Sequence, residues 1–181
     1  MKTSVSTYGG FYIGRYEASD GGGFVQEKSN SPSWVNIAWG ESVNSIGTKG
    51  AVYYSKDMCN YYGWNSVQTT LVYGVQWDSA LRIICKTKNV TDDDSWGNVN
   101  WKYGGVKNTG SNDTWKAYNI YDLFGNVFEW SMEGVSWNSR VARGGNFQYG
   151  SNSFSASSRW KHSGAASTDA TIGFRTSMYI K

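Results

Sequence analysis

With one proline, one histidine and two cysteines in 181 residues, the chain has little material for several kinds of chemistry. A lone histidine, His162, excludes a histidine-rich metal centre, and a Ser-His-Asp triad would have to rest on it alone. Cys59 and Cys85 form no C-x-x-C pair and are too few for a zinc module or a disulfide framework. They read as two buried free thiols, or else as one disulfide between elements. Charge is scarce too: 17% of residues are Asp, Glu, Lys or Arg, the net charge is +3, and no basic run marks a phosphate-tracking stripe. Nucleic acid is therefore not an expected partner. No stretch approaches the roughly 18–20 apolar residues of a membrane span, so membrane insertion is not expected. Met1 to Thr7 hold no apolar core of a signal peptide. Few leucines and alanines among many Gly, Ser and Asn argue against a helical bundle.

What the chain has in quantity is aromatic side chains: ten Trp, 13 Tyr and seven Phe. With so little charge, that composition implies an ordered domain with a substantial core, and the length suits one domain over residues 1–181. Trp77, Ala80, Leu81, Ile84 and Cys85 recur at helical spacing, opposite Asp78, Arg82 and Lys86, which predicts a helix over about 75–87. A weaker pattern predicts a second helix over 51–62, ended by Gly63. Strand signals lie at Phe11–Glu17, Val127–Trp130, Arg140–Arg143, Ile172–Arg175 and Thr176–Ile180. Residues 18–50 read as a loop or frayed hairpin. Residues 89–118 read as a long irregular segment anchored by Trp96, Trp101 and Trp115, with the Asp92–Asp94 triplet as a solvated turn or helix cap. Two helices and a β-rich, loop-rich remainder describe an α+β domain.

Two stretches carry chemical information. In Tyr121-Asp122-Leu123-Phe124-Gly125-Asn126-Val127-Phe128-Glu129-Trp130, two carboxylates flank a glycine-asparagine bend. On the residues alone this is a solvated or salt-bridged turn first and a hard-cation site second, since carboxylates with carbonyl oxygens suit Ca²⁺ better than a soft metal. In residues 146–171, seven serines accompany Phe147, Tyr149, Phe154 and Trp160. Large rigid aromatics among small adaptable polar residues are the composition of a binding paratope. The alternative is an ordinary loop region whose aromatics turn inward.

The order of motifs resembles a known family. Phe11–Glu17, Val75-Gln76-Trp77 with Ala80, the Tyr121–Trp130 motif, Arg140-Val141-Ala142-Arg143-Gly144-Gly145 and Gly173-Phe174-Arg175 follow one another as in the formylglycine-generating-enzyme, or sulfatase-modifying-factor, domain. That resemblance implies a C-type-lectin-like fold with two helices, a small twisted antiparallel sheet and many ordered loops. In the family's enzymes, two cysteines shortly after Arg-Gly-Gly bind copper. Here their positions fall at about Tyr149 and Phe154, which offer no thiolate, so neither copper nor catalysis is expected. The resemblance also implies a structural Ca²⁺ held by Asp122 and Glu129 with the carbonyls of Gly125 and Val127.

The 146–171 stretch, bracketed by Arg143-Gly144-Gly145 and Gly173-Phe174-Arg175, resembles the variable proteins of diversity-generating retroelements. These are C-type-lectin-fold proteins that carry their mutagenised ligand-binding residues between the same two motifs. The resemblance implies a non-catalytic ligand- or receptor-binding protein with residues 140–176 as its variable ligand-binding region. Its binding face would be Phe147, Gln148, Tyr149, Phe154, Ser158, Trp160, His162 and Asp169, with Trp160 also a candidate scaffold residue. The implied partner is a protein or glycan on a cell surface, met from a phage tail or bacterial surface, with avidity from a homo-oligomer. The alternatives are a catalytic member of the formylglycine-generating-enzyme superfamily, disfavoured by the missing cysteines, and a structural tail or surface domain.

Overall fold

The computed structural model describes residues 2–40, 49–88 and 96–181; the Asp92–Asp94 triplet, expected as a solvated turn or helix cap, lies outside them. Three helices are present among the described residues, α1 (Lys2–Tyr8), α2 (Ala51–Tyr61) and α3 (Gly74–Lys88), one more than the sequence reading. In α3, Trp77, Leu81 and Ile84 are buried while Arg82 and Lys86 face solvent, as the apolar stripe requires. Its first turn is closed by Gln76, whose Oε1 accepts the Tyr73 backbone N–H at 2.9 Å. Gly63 does end α2: at φ +68° it lets its own N–H reach the Asn60 carbonyl and the Trp64 N–H reach the Cys59 carbonyl, a Schellman closure. Cys59 on α2 and Cys85 on α3 form no disulfide among the described residues, and Cys59 is buried and Cys85 partly so. No described helix is long and apolar enough to cross a membrane.

The strands are short: β1 (Tyr12–Ile13), β2 (Ser19–Asp20), β3 (Val25–Gln26), β4 (Ser31–Pro32), β5 (Val67–Leu71), β6 (Asn108–Thr109), β7 (Lys116–Ala117) and β8 (Ile120–Tyr121). The last third supplies β9 (Phe128–Ser136), β10 (Ser139–Arg143), β11 (Trp160–Ser163), β12 (Ile172–Phe174) and β13 (Thr176–Ile180). One sheet has the order β1-β13-β5 and so joins the two ends of the chain. The other has the order β11-β10-β9-β12, and β12 lies parallel to β9 with Ile172 beside Phe128 and Phe174 beside Trp130. Among the described residues the expected small antiparallel sheet is thus accompanied by a second, mixed sheet and by three two-stranded pairs. The parallel pairing becomes possible because the 146–171 excursion returns the chain in the direction in which β9 left.

Alternation along β9 sends Phe128 and Trp130 to one face and Glu129 to the other. Phe128 and Trp130 join Leu71, Ala142, Ile172 and Phe174 in one buried cluster. A second cluster gathers Trp77, Leu81 and Ile84 of α3 with Leu123, Phe124 and Ala156. Ala156 comes from the middle of the 146–171 stretch, so that stretch is tied into the core rather than draped over it.

Candidate ligand-binding site

The stretch after β10 is aimed by backbone geometry. Gly144 and Gly145 take φ of +86° and +70°, a region where L side chains are strained, and a Cβ on Gly145 would sit 3.0 Å from the Phe154 carbonyl oxygen. Two successive left-handed residues reverse the chain off the end of β10. Asn146, now buried, accepts the Gln148 N–H on its Oδ1 at 3.0 Å. Phe147 is only 6% exposed; its N–H donates to the Asn126 carbonyl and its ring meets Trp101 edge-on at 4.7 Å. Phe147 was expected on the binding face and is instead an anchor beneath Trp101, because its backbone bonds to Asn126 and Trp101 turn the side chain inward.

Residues 150–159 form a loop braced from inside. Ser155 N–H donates to Ser158 Oγ at 2.9 Å, and the Ser155 hydroxyl lies within hydrogen-bond distance of both Ser157 Oγ and Ser158 Oγ. Ser158, another expected contact residue, is therefore engaged in holding its own loop. Trp77 Nε1 donates to the Ala156 carbonyl at 2.8 Å, and Arg143 Nη1 donates to the Ser157 carbonyl at 3.0 Å. Arg143 is fully buried; Asp78 of α3 pairs with it and with Arg159, and Glu133 of β9 does the same, at 3.6 Å from Arg143 Nε and 2.9 Å from Arg159 Nε. Burial pushes the Arg143 pKa down, and Glu133 and Asp78 oppose that shift. Each carboxylate bridges two guanidiniums, so helix, sheet and loop are locked in one network.

Above this frame lies a cavity of about 320 Å³. Its floor is Phe128, fully buried on β9. Trp160, placed by β11 opposite Ala142, leans on Phe128 at 4.4 Å between ring centres. Phe154 stands edge-on to Phe128 at 5.2 Å, and Tyr149, 38% exposed, stands at 64° to Phe154. Gln148 and Asp169 complete the rim together with Asn146 and Thr171. Five of the eight expected contact residues, Gln148, Tyr149, Phe154, Trp160 and Asp169, therefore share one cavity. His162 does not line it: two residues further along β11, it packs edge-on to both Trp130 and Trp160 at 5.1 Å, and its Nδ1 is buried with no partner among the described residues. Phe128, Asn146 and Thr171 were not anticipated. Phe128 carried a core signal and is both core and floor, and Asn146 could have been found as the first side chain after the glycine reversal.

The expected calcium ligands lie on the opposite face of β9, among buried carboxylates. Both oxygens of Glu129 accept from Arg175, at 3.0 and 3.2 Å from Nε and 2.7 Å from Nη2, and both side chains are fully buried. The remaining Arg175 donors reach the Gly14 and Tyr121 carbonyls at 2.8 Å. Asp122 sits at φ +52° with Oδ2 accepting from the Thr109 hydroxyl and Gly110 N–H, while its buried Oδ1 has no partner. Burial pushes the Asp122 carboxyl up to about 6. Glu17, bonded to Ser33, Asn126 and the Val127 N–H, is pushed well above the usual carboxylate range by burial and by the neighbouring Asp122 and Glu129. Glu129 is raised by burial against the pull of Arg175.

These residues do not fit Ca²⁺. The face of Glu129 that a cation would need is taken by a guanidinium, and no three acidic, histidine or cysteine side chains converge for a metal among the described residues. The assignment of Asp122, Gly125, Val127 and Glu129 to calcium is corrected to a salt-bridged turn. The fully buried Gly125 and Val127 belong to it as packing, the Gly125 N–H donating to the Gly144 carbonyl at 2.7 Å.

No protein-family model and no curated protein matches the chain. Solved structures match it in fold. Variable protein 1 of Treponema denticola is 14% identical over 96% of this chain and 79% of its own, with a TM-score of 0.59. PvdO from Pseudomonas aeruginosa is 13% identical over 99% of this chain and 76% of its own, with a TM-score of 0.60. The Major Tropism Determinant I1 variant is 16% identical over 96% of this chain, which spans about half of it (52%), with a TM-score of 0.61. The fold is thus C-type-lectin-like and α+β, as the sequence motifs implied.

Proposed function

We propose that the chain is a non-catalytic binding module that displays diversified side chains from residues 146–171 on a rigid lectin-like scaffold. The observation that carries this reading is the division of labour between Arg143 and Gly173. Arg143, Gly145, Phe147 and Ala156 hold the backbone, while Gln148, Tyr149, Phe154, Trp160 and Asp169 meet around one open cavity. A frame whose backbone is held from below tolerates variation at rim positions such as Gln148 and Tyr149 and lowers the ordering cost of binding. The likeness to structures named as a variable protein and as tropism determinants supports a recognition role, met on a phage tail or bacterial surface and directed at a cell-surface protein or glycan. Homo-oligomers would add avidity.

Catalysis finds no support in the same cavity. The positions matched to copper-binding cysteines are Tyr149 and Phe154, and the rim carries neither thiol nor imidazole among the described residues. Two displayed libraries test the proposal. Randomising Gln148, Tyr149 and Asp169 together should leave most members folded and yield binders to unrelated targets. Randomising Arg143, Gly145 and Ala156 should unfold most members. General unfolding of the first library would overturn the display reading. In the genome, the reading expects a near-identical, adenine-rich repeat of the Asn146–Arg175 coding region beside a reverse-transcriptase gene.

A further inference from the structure

We infer that the cavity over Phe128 is an arginine pocket: it receives the guanidinium of an arginine side chain on a protein partner. This rests on the recognition role proposed above and names the chemistry that role would use.

The first observation is the shape of the aromatic wall. Rings stacked in parallel turn one outer face to solvent, as a platform for a flat ligand. Here Trp160 lies against Phe128 at 34°, but Phe154 stands at 89° to Phe128 and at 64° to both Tyr149 and Trp160, so the rings wall a concavity and not one flat platform. Several inclined rings around one space are the arrangement that attracts a cation, because each ring face carries the negative part of its quadrupole.

Charge supplies the second observation. Asp169 is the one carboxylate on the rim, and no Lys or Arg lines the cavity among the described residues. Asp169 forms no ion pair among those residues, unlike Asp78, Glu129 and Glu133. Its Oδ1 is held at 2.7 Å by both the N–H and the hydroxyl of Thr171, and its backbone carbonyl accepts the Asn36 N–H. The carboxylate is therefore positioned, while Oδ2 has no hydrogen-bond donor among the described residues. An incoming cation would supply it.

Among cations, arginine suits the site better than lysine. A guanidinium is weakly hydrated, lies flat against aromatic rings and offers five N–H donors, whereas an ammonium is a compact and strongly hydrated point charge. The Gln148 amide oxygen on the same rim is a neutral acceptor for donors that Asp169 leaves free. A volume of about 320 Å³ is far more than an ammonium head fills and accommodates a planar head with its methylene stem.

The test is a titration of the ¹⁵N-labelled protein, followed by amide and indole chemical shifts, with N-acetyl-arginine amide, N-acetyl-citrulline amide, N-acetyl-lysine amide and methyl glycosides. Citrulline keeps the shape of arginine and removes its charge. Saturable shifts at Gln148, Tyr149, Thr171 and the Trp160 indole are expected with arginine, and citrulline should bind at least about tenfold more weakly. Asp169→Asn should erase that difference. Equal binding of citrulline, preference for lysine or a glycoside, or shifts confined to other surfaces would overturn the inference. The arginine–citrulline comparison needs only the wild-type protein, so it holds even if Asp169→Asn disturbs the Thr171 turn. Glycoside binding at the same residues would sink the arginine pocket and leave the recognition role standing, whereas that role fails only by the library experiment.

Discussion

Replacing Arg175 by methionine is the sharpest probe of what holds the two sheets together. The guanidinium is fully buried and donates to both oxygens of Glu129 and to the carbonyls of Gly14 and Tyr121, from three separate parts of the chain. Methionine fills much of the same volume, so the change isolates the charge and its hydrogen bonds from packing. Breaking one partner of a buried ion pair costs about 3–5 kcal/mol, because the other charge is left uncompensated. Here the burden is heavier, since Glu17, Glu27 and Asp122 also feel Arg175. For a chain of this length the melting temperature should fall by roughly 10 °C or more. The loss should depend on pH in a definite direction. With Arg175 gone, the folded-state pKa of Glu129, already raised, rises further, so the variant is penalised wherever the unfolded chain has ionised. Below about pH 4, Glu129 is neutral in both states and the penalty shrinks. Urea denaturation of both proteins between pH 3.5 and 7.5, followed by tryptophan fluorescence, measures this. A loss under about 1 kcal/mol at pH 7, or one independent of pH, would refute the electrostatic account and reassign the stability of the region to packing.

Further outcomes follow from single side chains. Asp122, pushed from 3.8 to about 6, should contribute stability that is complete below pH 4 and lost as pH rises through 6; the shift corresponds to at most about 3 kcal/mol. Asp122→Asn should flatten that part of the stability–pH curve, and an unchanged curve in the variant would contradict the burial of this carboxyl. Two neighbours in sequence should behave oppositely: Phe147→Ala should cost about 3–5 kcal/mol as a core truncation, whereas Tyr149→Ala should stay within about 1 kcal/mol. Equal costs by chemical denaturation would show that the inward and rim positions are misassigned.

The helices were legible because their signals are local. The spacing of Trp77, Leu81 and Ile84, and Gly63 at the end of a helical pattern, both act within a few residues. Helix α1 carried no such apolar stripe and was missed, with Ser4 its only buried residue. Strand β5 was missed as well, because Val67–Leu71 alternates weakly and takes its identity from pairing with β13. At the candidate site, composition singled out one stretch, and five of the eight side chains named in it line one cavity. Phe147, Ser158 and His162 lie outside that lining because their surroundings are set by Asn126, by a serine triad and by Trp130, partners that no local pattern names.

By itself, then, the chain's composition and motif order determined an aromatic-rich α+β scaffold, its two longer helices, the aromatic and serine-rich segment from which most of the cavity is lined and the lack of cysteines at the positions matched to copper binding. Only tertiary structure decided which aromatics between Arg143 and Gly173 lie beneath the surface and which ring the cavity. It also decided the fate of Glu129, where a motif that suggested calcium is met by Arg175, 46 residues away. The physical reason is the same in both cases. A side chain's direction and a carboxylate's counter-charge are set by whatever the fold brings opposite them, and those neighbours are distant in sequence.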